Sequence, residues 1–283
     1  MRLICTVILL SLYWVCTQGQ KQKAREFLKK FNKEAPNWAY DSAEADWNYL
    51  TNMNNENLQK KYKDKFGWWY WNQTLIAKQF DISELDPLEV RQFQLMLRAA
   101  PDAKNDSVDS RIYQIQETLE QMHSLATIQN NKGIITTVKG AKLHLNQIGD
   151  VMKKSDDLDE LQYVWEGWRK VTGSKMRKMY AEMVRLQNIA AKDSNMADIG
   201  EYYRGMSEVD NLEKVADQLF KELKPLYDEI HAYVRFRLSK LYPNLVHESE
   251  PIPAHLLRKI TPIGWTNIFK KIKPYGKDIC YIN

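Results

Sequence analysis

Apolar side chains recur at helical intervals along most of this chain, and that period does most to limit what it can fold into. Ile112, Ile115, Leu119, Met122 and Ala126 step by 3, 4, 3 and 4 residues, which lines one side of a helix. Phe27, Leu28, Phe31 and Ala35 keep the same period near the front. Met176, Met179, Met183, Leu186 and Ala190 place a methionine-rich stripe on a further helix, which reads as core. Start signals agree. Asp86-Pro87-Leu88-Glu89 offers an N-cap, a proline at the first helical position and a glutamate to close a capping box. An aspartate cap opens the segment that ends at Gly173, a natural residue just past a helix end. Asp210-Asn211-Leu212-Glu213 opens a run to Tyr242 that Pro225 is expected to kink. Another helix is expected to begin near Asn54 and run on through FGWWYWNQTLIA, with Trp68, Trp71 and Leu75 facing the core. One stretch, 132–146, breaks the pattern. Its glycines bracket a β-branched run, which predicts a short hairpin or an irregular loop. The fold class is therefore mainly α, a helical body followed by a short irregular tail.

Residues 1–19 stand apart. Arg2, the apolar run Leu3–Val15, and small Thr17 and Gly19 before the cut read as a secretory signal peptide. That run is too short to span a bilayer, and no other stretch is apolar enough to cross one. The expectation is a secreted protein with no transmembrane segment. Asn72-Gln73-Thr74 and Asn105-Asp106-Ser107 fit that route, so Asn72 and Asn105 are candidate N-glycosylation sites. Cys5 and Cys16 leave with the leader, and Cys280 remains as a free thiol. Charge is unevenly placed. Residues 258–283 carry Arg258, Lys259, Lys270, Lys271, Lys273 and Lys277 against Asp278, a large share of the chain's net +5. The body is left close to neutral and gives no electrostatic case for nucleic acid. The basic tail alone could address an anionic membrane or glycosaminoglycan.

LVHESEPIPAHLL, residues 245–257, gathers histidines and glutamates and poses the question of a metal site. A helical zinc site needs two histidines on one face, four residues apart. His247 is followed at that distance by Pro251, and His255 lies beyond Pro253. The five histidines are His123, His144, His231, His247 and His255, and no two stand three to five residues apart. There is no G-x-S-x-G elbow, glycine-rich phosphate loop or CxxC. No catalytic and no metal-ligating residue is assigned.

Several blocks together resemble the angiotensin-converting enzyme family, peptidase family M2. They are REFLKKFNKEA near Arg25, EADWNYLTNMNNEN near Asp46, VWEGWRK (164–170), LKPLYDEIHAYVRFRLSKLYP (223–243) and PIPAHLL (251–257). The resemblance implies secreted or membrane-tethered zinc peptidases that release dipeptides, or in one branch single residues, from oligopeptide C-termini. It implies a helical fold of two lobes around a cleft, with N-terminal helices as a lid. Residues 20–257 would be the lid and part of one lobe, and 258–283 a divergent basic tail. The family's HExxH helix, its glutamate ligand and its substrate-anchoring residues follow later in the family domain and are not among these residues. After HLL the chain reads RKITPIG where the family has a Gly-x-Met-Trp-type stretch, and the likeness returns briefly at WTNIF. The family's cysteine pair near 130–145 is missing. Arg169 matches an arginine that binds chloride. Zinc and chloride are thus the family's cofactors, with none expected in this chain. The first expectation is an inactive secreted relative, a pseudoenzyme or decoy. It would bind peptides, or a protein partner over the exposed lid face, or self-associate. The alternatives are a fragment of an active metallopeptidase whose reading frame is longer, and a module that binds anionic surfaces through its tail.

Overall fold

The computed structural model describes residues 2–62, 65–98, 100–130, 133–247, 249–261 and 263–274, with backbone alone for 2–18 and 62. Helices dominate and one two-stranded sheet accompanies them, as the apolar period predicts. Among the described residues no helix is long and apolar enough to cross a membrane. The chain divides into two compact units, 1–101 and 102–283.

The first unit holds α1 (Arg2–Thr51), α2 (Asn55–Tyr62), α3 (Phe66–Ala77) and α4 (Pro87–Leu97). Ala24, Leu28, Ala77, Phe93 and Met96 form its core, with Phe27, Phe31 and Phe80 packed against them. Arg25 ties α1 to α4, donating to Glu89 at 2.7 Å and to Asp86 at 2.8 Å. Glu89 serves twice, because it also accepts from the Asp86 N–H at 3.0 Å, the capping box expected at Asp86. Two expectations need correction. The helix expected from Asn54 onward is two helices, α2 and α3. And α3 buries Trp69, Thr74 and Ala77, while Trp68 is 69% exposed, Trp71 49% and Leu75 38%. Phe66 to Trp71 is aromatic almost all round, so spacing alone could not choose the inner side. Trp69 takes it because its indole stacks on Phe31 at 5.3 Å, Trp38 at 5.8 Å and Phe66 at 6.1 Å.

The second unit runs α5 (Asp106–Ser124), β1 (Ile128–Gln129), β2 (Lys142–Leu143), α6 (Leu145–Lys154), α7 (Leu158–Val171), α8 (Gly173–Asp193), α9 (Ile199–Gly205) and α10 (Leu212–Leu241). Single 3₁₀ turns follow at Ala254–Leu257 and Thr266–Ile268, then α11 (Phe269–Ile272). Two stripes read from spacing meet here. Ile112, Ile115 and Leu119 of α5 pack with Leu186, Met176, Met179 and Met183 of α8. Asn105 caps α5, its Oδ1 accepting from the Ser107 N–H at 3.0 Å. Asp157 caps α7 through the N–H groups of Asp159 and Glu160. The sheet is antiparallel, Ile128 opposite Leu143 and Gln129 opposite Lys142, so one strand precedes the expected window.

Three local expectations fail for identifiable reasons. Gly173 opens α8 instead of closing α7, because Thr172 alone separates the two helices. Asp210 does not cap α10. Asn211 stands there in the left-handed region, φ 52°, and Glu213 reaches instead to Arg204 at 3.2 Å. The tail is not loose through Pro274: Ile268 and Ile272 join Val234, Leu238, Val246, Leu256 and Leu257 in one core. The Tyr233 hydroxyl donates to the Ile272 carbonyl at 2.6 Å.

Helix α10 continues through Pro225, which cannot donate to the Lys221 carbonyl. Ahead of Val234 its apolar side lies open. Val215, Leu219, Leu223, Leu226 and Ile230 are 39–61% exposed and step by 4, 4, 3 and 4 residues.

Candidate functional site

The sequence offered two places for chemistry, the histidines around PIPAHLL and Arg169 in WEGWR. His247 is exposed. Pro253 holds extended backbone, φ −57° and ψ 122°, and passes the chain into the turn that carries His255. Leu256 and Leu257 of that turn are core residues, so His255 is drawn inward with them. Its Nε2 is buried and finds no partner among the described residues. Burial pushes the imidazole pKa below its ordinary value, against a smaller opposite pull from the Glu166 carboxylate. Among the described residues no three His, Cys, Asp or Glu side chains converge as a metal cage would require.

The depressed pKa of His255 has a consequence. A group that folding keeps neutral adds stability above its ordinary pKa of 6.5 and loses it as pH falls below that value. The melting temperature of the wild type is therefore expected to fall more steeply from pH 7.5 to 5.5 than that of His255→Gln. Thermal unfolding at the two pH values checks this, and parallel slopes would show that His255 does not titrate.

Arg169 lies on α7 beside two other features of WEGWR. A Cβ on Gly167 would come within 3.2 Å of Ile128, so glycine lets β1 close down on the helix. The guanidinium sits 3.2 Å above the centre of the Trp165 ring. It donates to the Trp165 carbonyl at 3.0 Å and to the Ile260 carbonyl at 2.7 Å, which ties α7 to the segment after the turn. No carboxylate pairs with it among the described residues, unlike Arg25, Arg111, Arg204 and Arg258. Burial pushes its pKa down, so the charge is partly desolvated and uncompensated. The Trp165 Nε1–H is also buried without a partner. A partly desolvated guanidinium keeps N–H groups that the two carbonyls do not use. Of the residues described, Arg169 is the one that would help hold the chloride that the resemblance implies.

Two charged residues that the sequence did not mark hold this region together. Glu160 is fully buried in the first turn of α7. It accepts from the N–H groups of Thr136 and Thr137 and from both their hydroxyls. Burial alone would raise its pKa. The hydrogen bonds from Ser155, Thr137 and Thr136 outweigh burial and hold it at about 2. Arg258 is 3% exposed and donates to Asp156 at 3.1 Å and to the carbonyls of Ser155 and Lys153. Those carbonyls lie at the C-terminal end of α6, where a cation is favoured. Lys271 reaches the same Asp156 at 2.7 Å. Two of the tail's basic residues are thus turned inward, which weakens the reading of that tail as a solvated patch for anionic surfaces. Of the remaining predicted positions, Asn72 is half-buried and Asn105 exposed, while Cys280 lies outside the described residues.

With this geometry in hand, the chain can be set against known proteins. The family model for angiotensin-converting enzyme, peptidase M2, matches residues 18–281. That span takes in 258–281, set apart above as divergent. The chain is 33% identical over 257 residues to angiotensin-converting enzyme of Theromyzon tessulatum, covering 89% of this chain and 41% of that protein. It is 32% identical over 277 residues to angiotensin-converting enzyme-like protein Ace3 of Mus musculus, covering 93% and 36%. Against angiotensin-converting enzyme of Bos taurus the figures are 27% over 271 residues, 91% and 20%. The chain thus spans less than half the length of these relatives. A match over nearly all of its residues, WEGWR and PIPAHLL among them, shows that the chain belongs to the angiotensin-converting enzyme family of M2 peptidases.

Proposed function

We propose that these residues form a secreted, non-catalytic member of the family, a scaffold that binds other molecules without hydrolysing them. One observation carries the reading. A catalytic zinc needs three protein ligands and an open position, and no two of the five histidines stand close enough in sequence to share a helix face. His247 and His255, the nearest in sequence, have Pro251 and Pro253 between them, which break the helix that would align their rings. Zinc therefore does not fit the residues described, and no hydrolytic step is routed through it. Residues 1–19 and the two sequons support the extracellular address. Equilibrium dialysis of the purified chain against micromolar zinc tests the proposal. Binding well below one ion per chain is expected, and a tight stoichiometric site would overturn it.

A second reading rests on the span of the match. The chain covers 41% of the Theromyzon tessulatum relative, so the same residues would also serve as the N-terminal part of a longer, active peptidase acting on oligopeptide C-termini. Sequencing the transcript through its stop codon separates the two readings.

The open side of α10 supports a partner or self-association. Five apolar residues at helical spacing, flanked by Phe220 and Tyr227 at 56% and 50% exposed, make a patch of the kind that marks interaction sites. Light scattering is expected to show concentration-dependent assembly, and Leu223→Glu with Leu226→Glu to reduce it to monomer. A wild type that stays monomeric at tens of micromolar would remove this part of the proposal.

A further inference from the structure

We propose that Asn72 carries an N-linked oligosaccharide and that this sugar seats on the exposed tryptophan face of α3. The inference rests on the reading that the chain enters the secretory pathway. Asn72-Gln73-Thr74 is a sequon, and the fold decides what a sugar there would meet. At 3.6 residues per turn, Asn72 lies about 40° around the helix from Trp68 and about 60° from Leu75. Helical side chains lean toward the N-terminus, so a group on Asn72 passes over Trp68, one turn back. Trp68 is 69% exposed and Leu75 38%. Nothing among the described residues hydrogen-bonds the Asn72 amide, which is half-buried at the edge of this face. The occupant is argued from chemistry as well as position. Phe66–Ala77 holds no charged residue, so a charged partner gains nothing along it. The electron-rich face of an indole suits the C–H face of a neutral pyranose.

The order of events follows from Thr74. In the folded chain its hydroxyl is buried and directed at the Tyr70 carbonyl at 3.1 Å and the Met96 carbonyl at 3.3 Å. A transferase cannot read that hydroxyl once α3 has closed on α4, so transfer precedes folding. The donor is a lipid pyrophosphate-linked oligosaccharide. The Asn72 Nδ2 attacks C1 of its first N-acetylglucosamine, the N–C1 bond forms, and the bond from C1 to the pyrophosphate oxygen breaks. The lipid pyrophosphate leaves with the electron pair, and one amide proton passes to the transferase's base.

The test uses the full chain expressed in animal cells, once with its own N-terminus and once behind a foreign cleavable leader. Glycopeptide mass spectrometry reads Asn72 and Asn105 separately. Hydroxyl-radical footprinting then compares Trp68 with Trp47. The two are equally open in the bare protein, at 69% and 68%, so Trp47 serves as an internal reference. In glycosylated protein Trp68 is expected to react roughly threefold less than Trp47, and Asn72→Gln to bring the two level. A bare Asn72 in copies that carry sugar at Asn105 overturns the proposal, as does equal labelling in occupied copies. Failure of export with the native N-terminus alone, while the foreign leader yields a sugar at Asn72, counts against the secretory reading and leaves the sugar's place supported.

Discussion

Replacing Glu160 by Gln is expected to lower the unfolding free energy by about 3 kcal/mol at pH 7. The figure follows from the carboxylate's displacement from its ordinary value of 4.5 to about 2. A fully buried anion persists only if its lone pairs are satisfied, and here two backbone N–H groups and two threonine hydroxyls do so. An amide keeps the shape, removes the charge and offers donors where acceptors are needed. The donors of Thr136 and Thr137 then lose a charged acceptor. The pH dependence has a definite sign. A carboxylate with a depressed pKa adds stability above 4.5 and loses it as pH falls toward 2. Urea unfolding at pH 7, 5 and 3.5 should therefore show wild type and variant far apart at first and converging as the solution acidifies. A gap that stays constant across that range would mean that Glu160 acts by shape and not by charge. The position matters for the family comparison. The resemblance implies a cysteine pair near 130–145, and in this chain the loop there is held by Glu160 from α7.

Arg258→Ala is expected to cost about 2 kcal/mol, because the carbonyls that its buried guanidinium serves lose their donor; Asp156 is 76% exposed and its ion pair adds little. The carbonyls of Ser155 and Lys153 lose their donor at the end of α6. Asp156 keeps Lys271 but loses its buried partner. Arg258 also sits in the left-handed region, φ 59°, where a side chain costs about 1–2 kcal/mol that glycine avoids. Arg258→Gly should therefore be the milder of the two substitutions although it removes more atoms. Denaturant midpoints of both variants check this, and an alanine variant as stable as wild type would show that the guanidinium is not what anchors the tail segment.

What could be read from sequence and what could not divides along physical lines. The α5 stripe, the α8 methionines and the caps at Asp86 and Asp157 were legible because each is a local pattern that tertiary structure had no reason to override. The face of α3 was not. An unbroken aromatic run has a period but no phase, and the phase came from Phe31 and Trp38 on another helix. Arg258 could not be told from Lys259 or Lys270, because composition counts a charge without saying where it points. Glu160 looked like an ordinary first-turn acid that favours a helix start. Its partners stand 23 and 24 residues earlier in sequence, beyond the reach of any local pattern. At Arg169 the far partner, the Ile260 carbonyl, stands 91 residues later, again beyond any local pattern.

The reading proposed here is that these residues do not activate water at a bound cation. Its most direct test is hydrolysis itself. The purified chain, loaded with equimolar zinc, is incubated with an N-terminally blocked tripeptide, and released C-terminal dipeptide is followed by mass spectrometry with and without a chelator. Release no faster than in buffer, indifferent to the chelator, is the predicted result. Steady turnover that the chelator abolishes and zinc restores would contradict it.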